Sequence, residues 1–240
     1  MKLAVCMNGL FRNHVKPHVG VLHKRFHEKF PTADFYYHTW TEFENTVPAQ
    51  YKMNQDYFFT DPEPKLKYHP ISDSKTNCKH GKWHPYKSGN LMRHKTQNGS
   101  KQILGYAMMH KNIQKEYDVV IRARWDTALD EQVDFTPYIE MAYEEGPVGF
   151  SIRGKRGPSG KDGKVKIVEK TDYDPMDDWF GYLQDALIIH KQEHFDPDYV
   201  LQLHKDENLW PAEWGWYQVM SLPYGDDIHT SCHGGAYIAR

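Results

Sequence analysis

Two arginines and an aspartate alternate directly after an apolar run in the middle of the chain. The run covers residues 119–121, and Arg122, Arg124 and Asp126 follow it at every second position. Alternate side chains of a strand share one face, where two guanidinium groups can donate charge-assisted hydrogen bonds to phosphates. A carboxylate beside them can hold a divalent ion that stabilises a diphosphate leaving group. A strand-end aspartate paired with a neighbouring arginine is the plainer interpretation, and both stay open.

A second candidate site follows the first apolar run, residues 3–7. Asn8 and Gly9 end that run, and Arg12 comes three residues later. A glycine turn that leads into a helix presents backbone N–H groups, which favour anionic or base-edge ligands. One glycine is a weaker signal than the G-x-G-x-x-G fingerprint, and an ordinary turn between strand and helix is the alternative.

Three acidic residues are candidates for a catalytic carboxylate. Asp177 and Asp178 precede a predicted helix, where capping of its N-terminus is the alternative role. Glu213 lies in the tryptophan-rich run 210–216, where burial would raise its pKa toward that of a general base. The alternative for Glu213 is an ordinary acid in the first turn of a helix.

Metal sites built from histidine and cysteine receive less support from the sequence. Cys78, His80 and His84 have no fourth ligand at a suitable spacing, which argues against structural zinc. His229 and His233 could ligate a metal, but with fifteen histidines in the chain any one of them is an ordinary bystander by default.

The elements that would position these residues follow an α/β pattern. Residues 3–7 and 34–40 read as strands, with a helical apolar spacing between them that ends near Pro31, and 117–124 read as a third strand. Strand, glycine turn, helix and strand open a doubly wound fold. We therefore predict a single α/β domain over 1–240, Rossmann-like, with a mixed, mostly parallel sheet flanked by helices.

The remaining elements are less regular in the sequence. Segment 44–100 is basic and poorly patterned, and 148–170 reads as a hairpin insertion with strands at 148–153 and 164–168 around a flexible, glycine-rich tip. We also predict helices from Ser100, from Asp177 through Ile188, from Asp196-Pro197 and over 211–222, and a last strand at 235–240.

Composition narrows the classes of protein. The chain of 240 residues has a formal net charge of −2, which gives no general affinity for nucleic acid or membranes. Its three cysteines are widely spaced and odd in number, as in a reducing compartment. No run of eighteen apolar residues and no signal-peptide pattern is present, so we expect a soluble, cytoplasmic protein without a transmembrane segment.

In their order along the chain, these segments resemble a family of small nucleotide-sugar glycosyltransferases of the GT-A type, found in bacteria and in large DNA viruses or phages. The matching segments are the Gly-x-x-Arg turn at 9–12, His-Thr-Trp at 38–40, Arg-x-Arg-x-Asp at 122–126, the acidic pair 177–178 and Ala-Glu-Trp at 212–214. A strict Asp-x-Asp is absent, and Arg124-Trp125-Asp126 occupies its place.

The resemblance implies a function and a set of roles. The reaction would be sugar transfer from a UDP- or GDP-sugar to a glycan or glycoconjugate hydroxyl, assisted by Mn²⁺ or Mg²⁺ at Asp126, in the host cytoplasm if the source is a virus. Asp177, Asp178 or Glu213 would be catalytic. The donor would be bound by Asn8, Gly9, Arg12, His38, Trp40, Arg122 and Arg124.

Two rival functions remain at the level of the sequence. A sulfotransferase or kinase-like enzyme would need a phosphate loop, and no GxxxxGK[ST] pattern is present. A non-catalytic carbohydrate- or nucleic-acid-binding module would account for the tryptophan-rich helix and the basic segment 65–101, although the neutral charge balance argues against nucleic acid. That module would leave the ordered arginines and acids unexplained.

Overall fold

The structure is a computed structural model. It describes residues 1–11, 16–54, 56–65, 89–129, 131–150, 186–206, 209, 212–220, 223, 231–233 and 236–238. Several sequence candidates therefore lie outside the described residues: Arg12, Cys78, His80, His84, Asp177, Asp178, His229 and the second strand of the predicted hairpin.

Strands and helices alternate through the first half of the described chain. The strands are β1 Leu3–Asn8, β2 Asp34–Trp40, β3 Phe58–Asp61, β4 Val119–Arg124, β5 Thr127–Leu129, β6 Val148–Phe150, β7 Leu187–Lys191, β8 Ser231–His233 and β9 Ala236–Ile238. The α-helices are α1 Lys16–Lys29, α2 Ala49–Lys52, α3 Gly89–Lys111, α4 Thr136–Glu144, α5 Pro197–Lys205 and α6 Ala212–Met220, and 3₁₀ turns cover Thr41–Thr46 and Gln192–His194.

Seven of these strands form one sheet in the order β3-β2-β1-β4-β7-β6-β8. The strands β3, β2, β1 and β4 are parallel, β7 runs antiparallel to both of its neighbours, and β6 pairs in parallel with β8. In the register of β1 and β4, Cys6 lies opposite Arg122 and Asn8 opposite Arg124. The predicted mixed, mostly parallel sheet is confirmed, and β5 and β9 form a separate antiparallel pair.

Helices cover both faces of the sheet because the central strands are apolar on both sides. On one face, Cys6 and Val120 pack with α3, α5 and α6. On the other, Val5 and Ile121 pack with Phe26 of α1 and with α4. Within the described ranges, none of the helices combines the length and apolar character that crossing a bilayer requires.

Two sequence-based helix predictions are corrected by the structure. Helix α3 begins at Gly89 rather than Ser100. The sequence did not predict its first half because that half is polar and shows no apolar period. Leu187 and Ile188 belong to β7 and not to a helix. A short apolar run fits either structure by period alone, and here it is buried between β4 and β6.

Other predicted elements are confirmed. The Asp196 side chain caps α5 by accepting hydrogen bonds from the N–H groups of Asp198 and Tyr199, at 2.9 and 3.2 Å. Strand β9 lies within the predicted last strand, and α6 lies within 211–222. Segment 44–100 is more ordered than predicted, since it contains α2, β3 and the start of α3.

Candidate functional site

A cleft opens where β1, β2 and β4 end. It encloses about 440 Å³, including its solvent-open mouth. The order of the parallel strands reverses between β1 and β4, and ligands of open α/β sheets bind at such switch points beyond the carboxyl ends of the strands. The lining residues are Asn8, Gly9, Leu10, Trp40, Glu63, Lys101, Gln102, Arg124, Trp125 and Asp126.

Arg122 is buried beneath this cleft rather than in its wall. Its Nε donates a hydrogen bond to Asn8 Oδ1 at 2.8 Å, and its Nη2 donates to Gln102 Oε1 at 3.2 Å. Its guanidinium lies 4.4 Å from the centre of the Trp216 ring, a cation–π contact that is strong when desolvated. The Asn8 side chain in turn donates to the Gln102 carbonyl at 2.6 Å. Arg122 thus joins β1, β4, α3 and α6 below the cleft floor.

Arg124 and Asp126 form a two-pronged ion pair in the cleft wall. Arg124 Nε and Nη2 donate to Asp126 Oδ1 and Oδ2 at 2.8 and 2.9 Å. The Asp126 residue is only 3% exposed, and the Arg124 N–H donates to Thr127 Oγ1 at 3.0 Å. Parallel N–H···O bonds of this kind fix the plane of the guanidinium as well as its position. The plainer interpretation of the Arg-x-Asp pattern is therefore realised in the structure.

The residues around Asp126 do not fit a divalent-metal site. Both carboxylate oxygens of Asp126 accept hydrogen bonds from Arg124, whereas Mn²⁺ or Mg²⁺ needs oxygen ligands directed at the ion. Among the described ranges, no group of three histidine, cysteine, aspartate or glutamate side chains converges on one point. The metal role of Asp126 thus receives no support from its contacts.

His38 and Trp40 have different places, although they were predicted together as donor-binding residues. Trp40 lines the cleft, whereas His38 is fully buried behind it. The His38 carbonyl accepts a hydrogen bond from Trp125 Nε1 at 2.8 Å, and its ring packs edge-on against Trp40. His38 Nε2 lies 3.2 Å from Asp61 Oδ2 without hydrogen-bond alignment, so the two atoms are close but form no hydrogen bond.

Gly105 explains how α3 approaches His38 so closely. A Cβ atom at this position would lie 2.8 Å from His38 Cε1 and 3.3 Å from the Trp40 ring. Glycine is therefore required for space, whereas Gly9 is required for conformation. Gly9 has a φ of 111°, which L-residues rarely adopt, and a Cβ built there meets no atom within 4 Å.

Lys101 and Glu63 complete the cleft wall and were missed by the sequence analysis. Lys101 Nζ and Glu63 Oε1 are 2.6 Å apart, and both side chains remain partly exposed. The carboxylate of Glu42 accepts a hydrogen bond from the Glu63 N–H at 3.1 Å, which holds this loop in place. Neither residue belongs to a motif, and they lie on opposite sides of the least patterned part of the sequence. The predicted helix from Ser100 contained Lys101, but no pattern indicated that its side chain faces the cleft.

The candidate catalytic acids are mostly beyond what the structure describes. Asp177 and Asp178 lie outside the described residues. Glu213 lies in the first turn of α6, three positions before the Trp216 that stacks on Arg122. The structure describes its backbone only, so its role as a general base stays a prediction.

Comparison with known proteins gives structural neighbours only. A scan of protein-family models finds no match, and neither does a search of curated proteins. Among solved structures, the galactosyltransferase LgtC in complex with donor and acceptor sugar analogues is 11% identical, covers 96% of this chain and 73% of its own, and has a TM-score of 0.41. Mouse xyloside xylosyltransferase 1 is 9% identical, covers 96% of this chain and 85% of its own, and also has a TM-score of 0.41.

A third neighbour is a Bacillus anthracis protein assigned as a glucose-1-phosphate thymidylyltransferase and bound to sucrose. It is 11% identical, covers 98% of this chain and 87% of its own, and has a TM-score of 0.44. With TM-scores below 0.5, these likenesses carry no functional argument. What the cleft can bind is argued from its own side chains.

Proposed function

We propose that this chain is a glycosyltransferase that moves a sugar from a nucleotide-sugar donor to a hydroxyl of a glycan or glycoconjugate. The observation that carries the proposal is the cleft at the β1/β4 switch point, with Arg124 and Lys101 in its wall. A nucleoside diphosphate is an anion that needs such cations, and the switch point is where α/β sheets bind ligands of this kind.

The cleft residues would divide the work of donor binding. Arg124 and Lys101 offer positive charge to the two phosphates, and Asp126 holds the Arg124 guanidinium in a fixed plane. The turn at Gly9 presents backbone to the donor, and Trp40, although almost fully buried, closes one side of the cleft. Asn8 is both a wall residue and a partner of Arg122, so it couples the cleft to the buried layer.

The chemical step would displace a nucleoside diphosphate from the anomeric carbon. The acceptor oxygen forms the new bond to that carbon, the carbon–phosphate oxygen bond breaks, and both electrons of that bond leave with the diphosphate. The acceptor proton passes to a carboxylate, for which Glu213, Asp177 and Asp178 remain the candidates. In this proposal the arginine and lysine of the cleft stabilise the departing diphosphate.

Mn²⁺ or Mg²⁺ is not part of the proposal at Asp126, because the carboxylate is already paired with Arg124. A divalent ion bound with a donor would neutralise its diphosphate, but no described side chain group is arranged to hold one. The proposal instead predicts donor binding that survives removal of divalent ions.

The proposal is tested by thermal shift with UDP, GDP, CMP and their sugars, each with Mn²⁺ and with EDTA. A ligand that binds only the native state at about 100 times its Kd adds roughly 2.7 kcal/mol of stability. We expect stabilisation by one nucleotide family, in EDTA as well, and its loss in Lys101→Ala. The matched control is Lys111→Ala, because Lys111 lies at the exposed end of the same helix and pairs with Asp198.

Other outcomes have defined meanings. Stabilisation by free sugars but by no nucleotide would replace the transferase with a carbohydrate-binding module. Stabilisation that requires Mn²⁺ would keep the transferase and restore the metal. No response to any nucleotide would overturn the proposed function.

A further inference from the structure

His23 and His27 form a pair on α1, on the sheet face opposite the α3 side. They lie four residues apart, which places their side chains on the same face of the helix. Their Nε2 atoms are 3.0 Å apart, and the Tyr37 hydroxyl of β2 also contacts His23 Nε2. Three polar atoms therefore converge at one point between α1 and β2.

This convergence leaves a hydrogen-bonding conflict. The Nε2 of an imidazole has one in-plane position, which holds either a proton or a lone pair. Tyr37 and His27 both approach that single position on His23. A proton on His23 Nε2 can be directed at only one of them, and a lone pair there can accept from only one. A cation shared by the two nitrogens removes the conflict.

Imidazole nitrogen is a common ligand of transition metals. The metal binds the uncharged ring, so an ion at this pair would compete with protons and bind more weakly at low pH.

The two rings are held in place by aromatic neighbours. The His27 ring stacks on Phe35 with centroids 3.8 Å apart, and the His23 ring packs edge-on against Tyr51 at 4.7 Å. His27 is nevertheless exposed at the surface, so an ion can enter from solvent. A site that is rigid before binding loses little freedom when the ion arrives.

We propose that His23 and His27 chelate one divalent transition-metal ion, of the Zn²⁺, Ni²⁺ or Cu²⁺ class, through their Nε2 atoms. Metal–imidazole bonds of about 2.0–2.1 Å that meet at the right angle of a tetragonal Cu²⁺ or Ni²⁺ site separate two nitrogens by about 3 Å, which matches the observed 3.0 Å. A tetrahedral Zn²⁺ ion would need a spacing of about 3.3 Å, a small opening of the pair. Imidazole nitrogen favours these ions over Mg²⁺ or Mn²⁺. Water completes the coordination, with the Tyr37 hydroxyl in position to bind the ion or its water.

The metal site is distinct from the cleft, although the Tyr37 ring stacks on Trp125 of the cleft lining with centroids 5.4 Å apart, and it does not depend on the proposed function. Tyr37 packs in the core on the α1 side of the sheet, whereas Trp40 packs in the core on the α3 side. No further histidine, cysteine or acid among the described side chains joins this pair to make a group of three. We therefore expect an exchangeable site that links α1 to β2 when it is loaded.

The test is isothermal titration of the metal-free protein with ZnCl₂, together with Cu²⁺ electron paramagnetic resonance. We expect nitrogen hyperfine structure from the imidazoles and a Zn²⁺ affinity at least about tenfold weaker in His27→Gln, since even the loss of an outer-shell partner costs about 10–100-fold. His27 is exposed, so this variant should fold. His204→Gln on α5 removes a histidine elsewhere and serves as the control.

Several results would overturn the proposal. Zn²⁺ affinity that is equal in the native chain, His27→Gln and His23→Gln would assign binding to other histidines. The same conclusion follows if His204→Gln weakens binding as much as His27→Gln does. A Cu²⁺ spectrum without imidazole nitrogen coupling would also contradict the chelate.

Discussion

A guanidinium fixed by a carboxylate offers a ligand something different from a mobile one. A free arginine must lose rotamer freedom when it binds an anion, whereas Arg124 has lost it to Asp126 before any donor arrives. In the proposed function, Asp126 positions Arg124 rather than a metal ion. This assignment gives Asp126 a testable signature that differs from that of a metal ligand.

Replacing Asp126 with Asn should weaken donor binding without creating a metal requirement. The amide is neutral and has one acceptor oxygen instead of two, so Arg124 loses the fork that fixes its plane. We expect a rise in the Kd of the nucleotide by about tenfold, or about 1.4 kcal/mol, measured by titration in EDTA. Glu140→Gln removes an exposed acid elsewhere and should leave the Kd unchanged; an effect that depends on Mn²⁺ would contradict the positioning role.

Replacing Gly105 with Ala should destabilise the protein by about 1–3 kcal/mol, as overpacking of a core does. The added Cβ would press on the buried His38 ring at 2.8 Å. Urea denaturation measures the loss. In the background of His38→Ala the cost of Gly105→Ala should shrink, because the ring that it meets is gone. Equal costs in both backgrounds would show that the contact is not the reason for the glycine.

At the residue scale, the sequence predicted single residues where spacing carried the signal. Arg124, Asp126, Asn8 and Gly9, which the strand-end patterns indicated, line the cleft, and so does Trp40, which the family resemblance indicated; their binding roles stay predictions. His38 and Arg122, by contrast, are fully buried and do not line the cleft. Alternation along a strand specifies the sheet face on which a side chain lies but not how deeply it is buried. Its burial depends on which helix packs against that face.

Four elements, β1, β4, α3 and α6, meet at the Arg122 side chain, and we call this set of contacts the Arg122 joint. Asn8 comes from β1, Gln102 from α3 and Trp216 from α6, and all three contact the guanidinium that β4 places between them. Each partner is separated from the others by a long stretch of chain, so no local pattern could have predicted the group. The sequence identified Arg122 as important but assigned it to the ligand rather than to this joint.

Replacing Arg122 with Lys should destabilise the fold more than a surface substitution does. An ammonium cannot donate the planar fork to Asn8 and Gln102, and hydrogen bonds to charged groups contribute about 1.5–3 kcal/mol each. We expect a loss of about 2–4 kcal/mol in urea denaturation, on the scale of breaking a buried charged network. The control is Arg25→Lys, because the pair of Arg25 with Glu131 is partly exposed. A loss below that of the control would contradict the joint.

The elements that could be predicted are those that a local sequence signal marks. Strands β1, β2 and β4 were predictable because apolar residues occupy both faces, and α5 because Asp196 and Pro197 mark its start. The beginning of α3 was not predictable, since its first turns are polar. Leu187 and Ile188 of β7 were assigned to a helix because the four apolar residues at 186–189 have no period that excludes either structure.

Three histidines, His110, His190 and His194, lie between α3, β7 and the 3₁₀ turn Gln192–His194, and burial disfavours the charged form of each. Burial lowers the pKa of His110 to about 4 and of His190 to about 3, and it also lowers the pKa of His194. The charge of Asp196 raises the pKa of His110 and so opposes the effect of burial. The charges of His110 and His194 lower the pKa of His190 further. His190 Nε2 also contacts the Tyr106 hydroxyl at 2.7 Å. Lys191 and Glu193 act in opposite directions on His194.

Stability should therefore fall as the pH drops below the ordinary histidine pKa of about 6.5. Between that value and about 4 the unfolded chain binds protons that the native His110 and His190 refuse. The free energy of unfolding then declines by about 1.4 kcal/mol per pH unit for each histidine. Urea denaturation at pH 7, 6 and 5 measures the slope. His110→Asn should reduce it, whereas Lys24→Gln, which removes an exposed cation elsewhere, should leave it unchanged; equal slopes in all three proteins would contradict this origin.

Fold class was the most predictable property of the whole molecule. Buried central strands and the alternation with helices follow from composition within short windows, and that pattern leads to a mixed, mostly parallel sheet. The strand order beyond β4 was not accessible, because β7, β6 and β8 are short and are joined over long distances in sequence. Edge pairing is set by tertiary packing, which no window of the sequence contains.

The pairing of β6 has a consequence for how the protein is made. Strand β6 is synthesised by residue 150, its neighbour β7 is complete only at Lys191, and its other neighbour β8 only at His233. At about 5–20 residues per second, one edge of β6 waits several seconds on the ribosome for a strand to cover it. During that interval a newly made chain exposes unpaired backbone of an apolar strand, which is the state that chaperones recognise and that neighbouring copies can join.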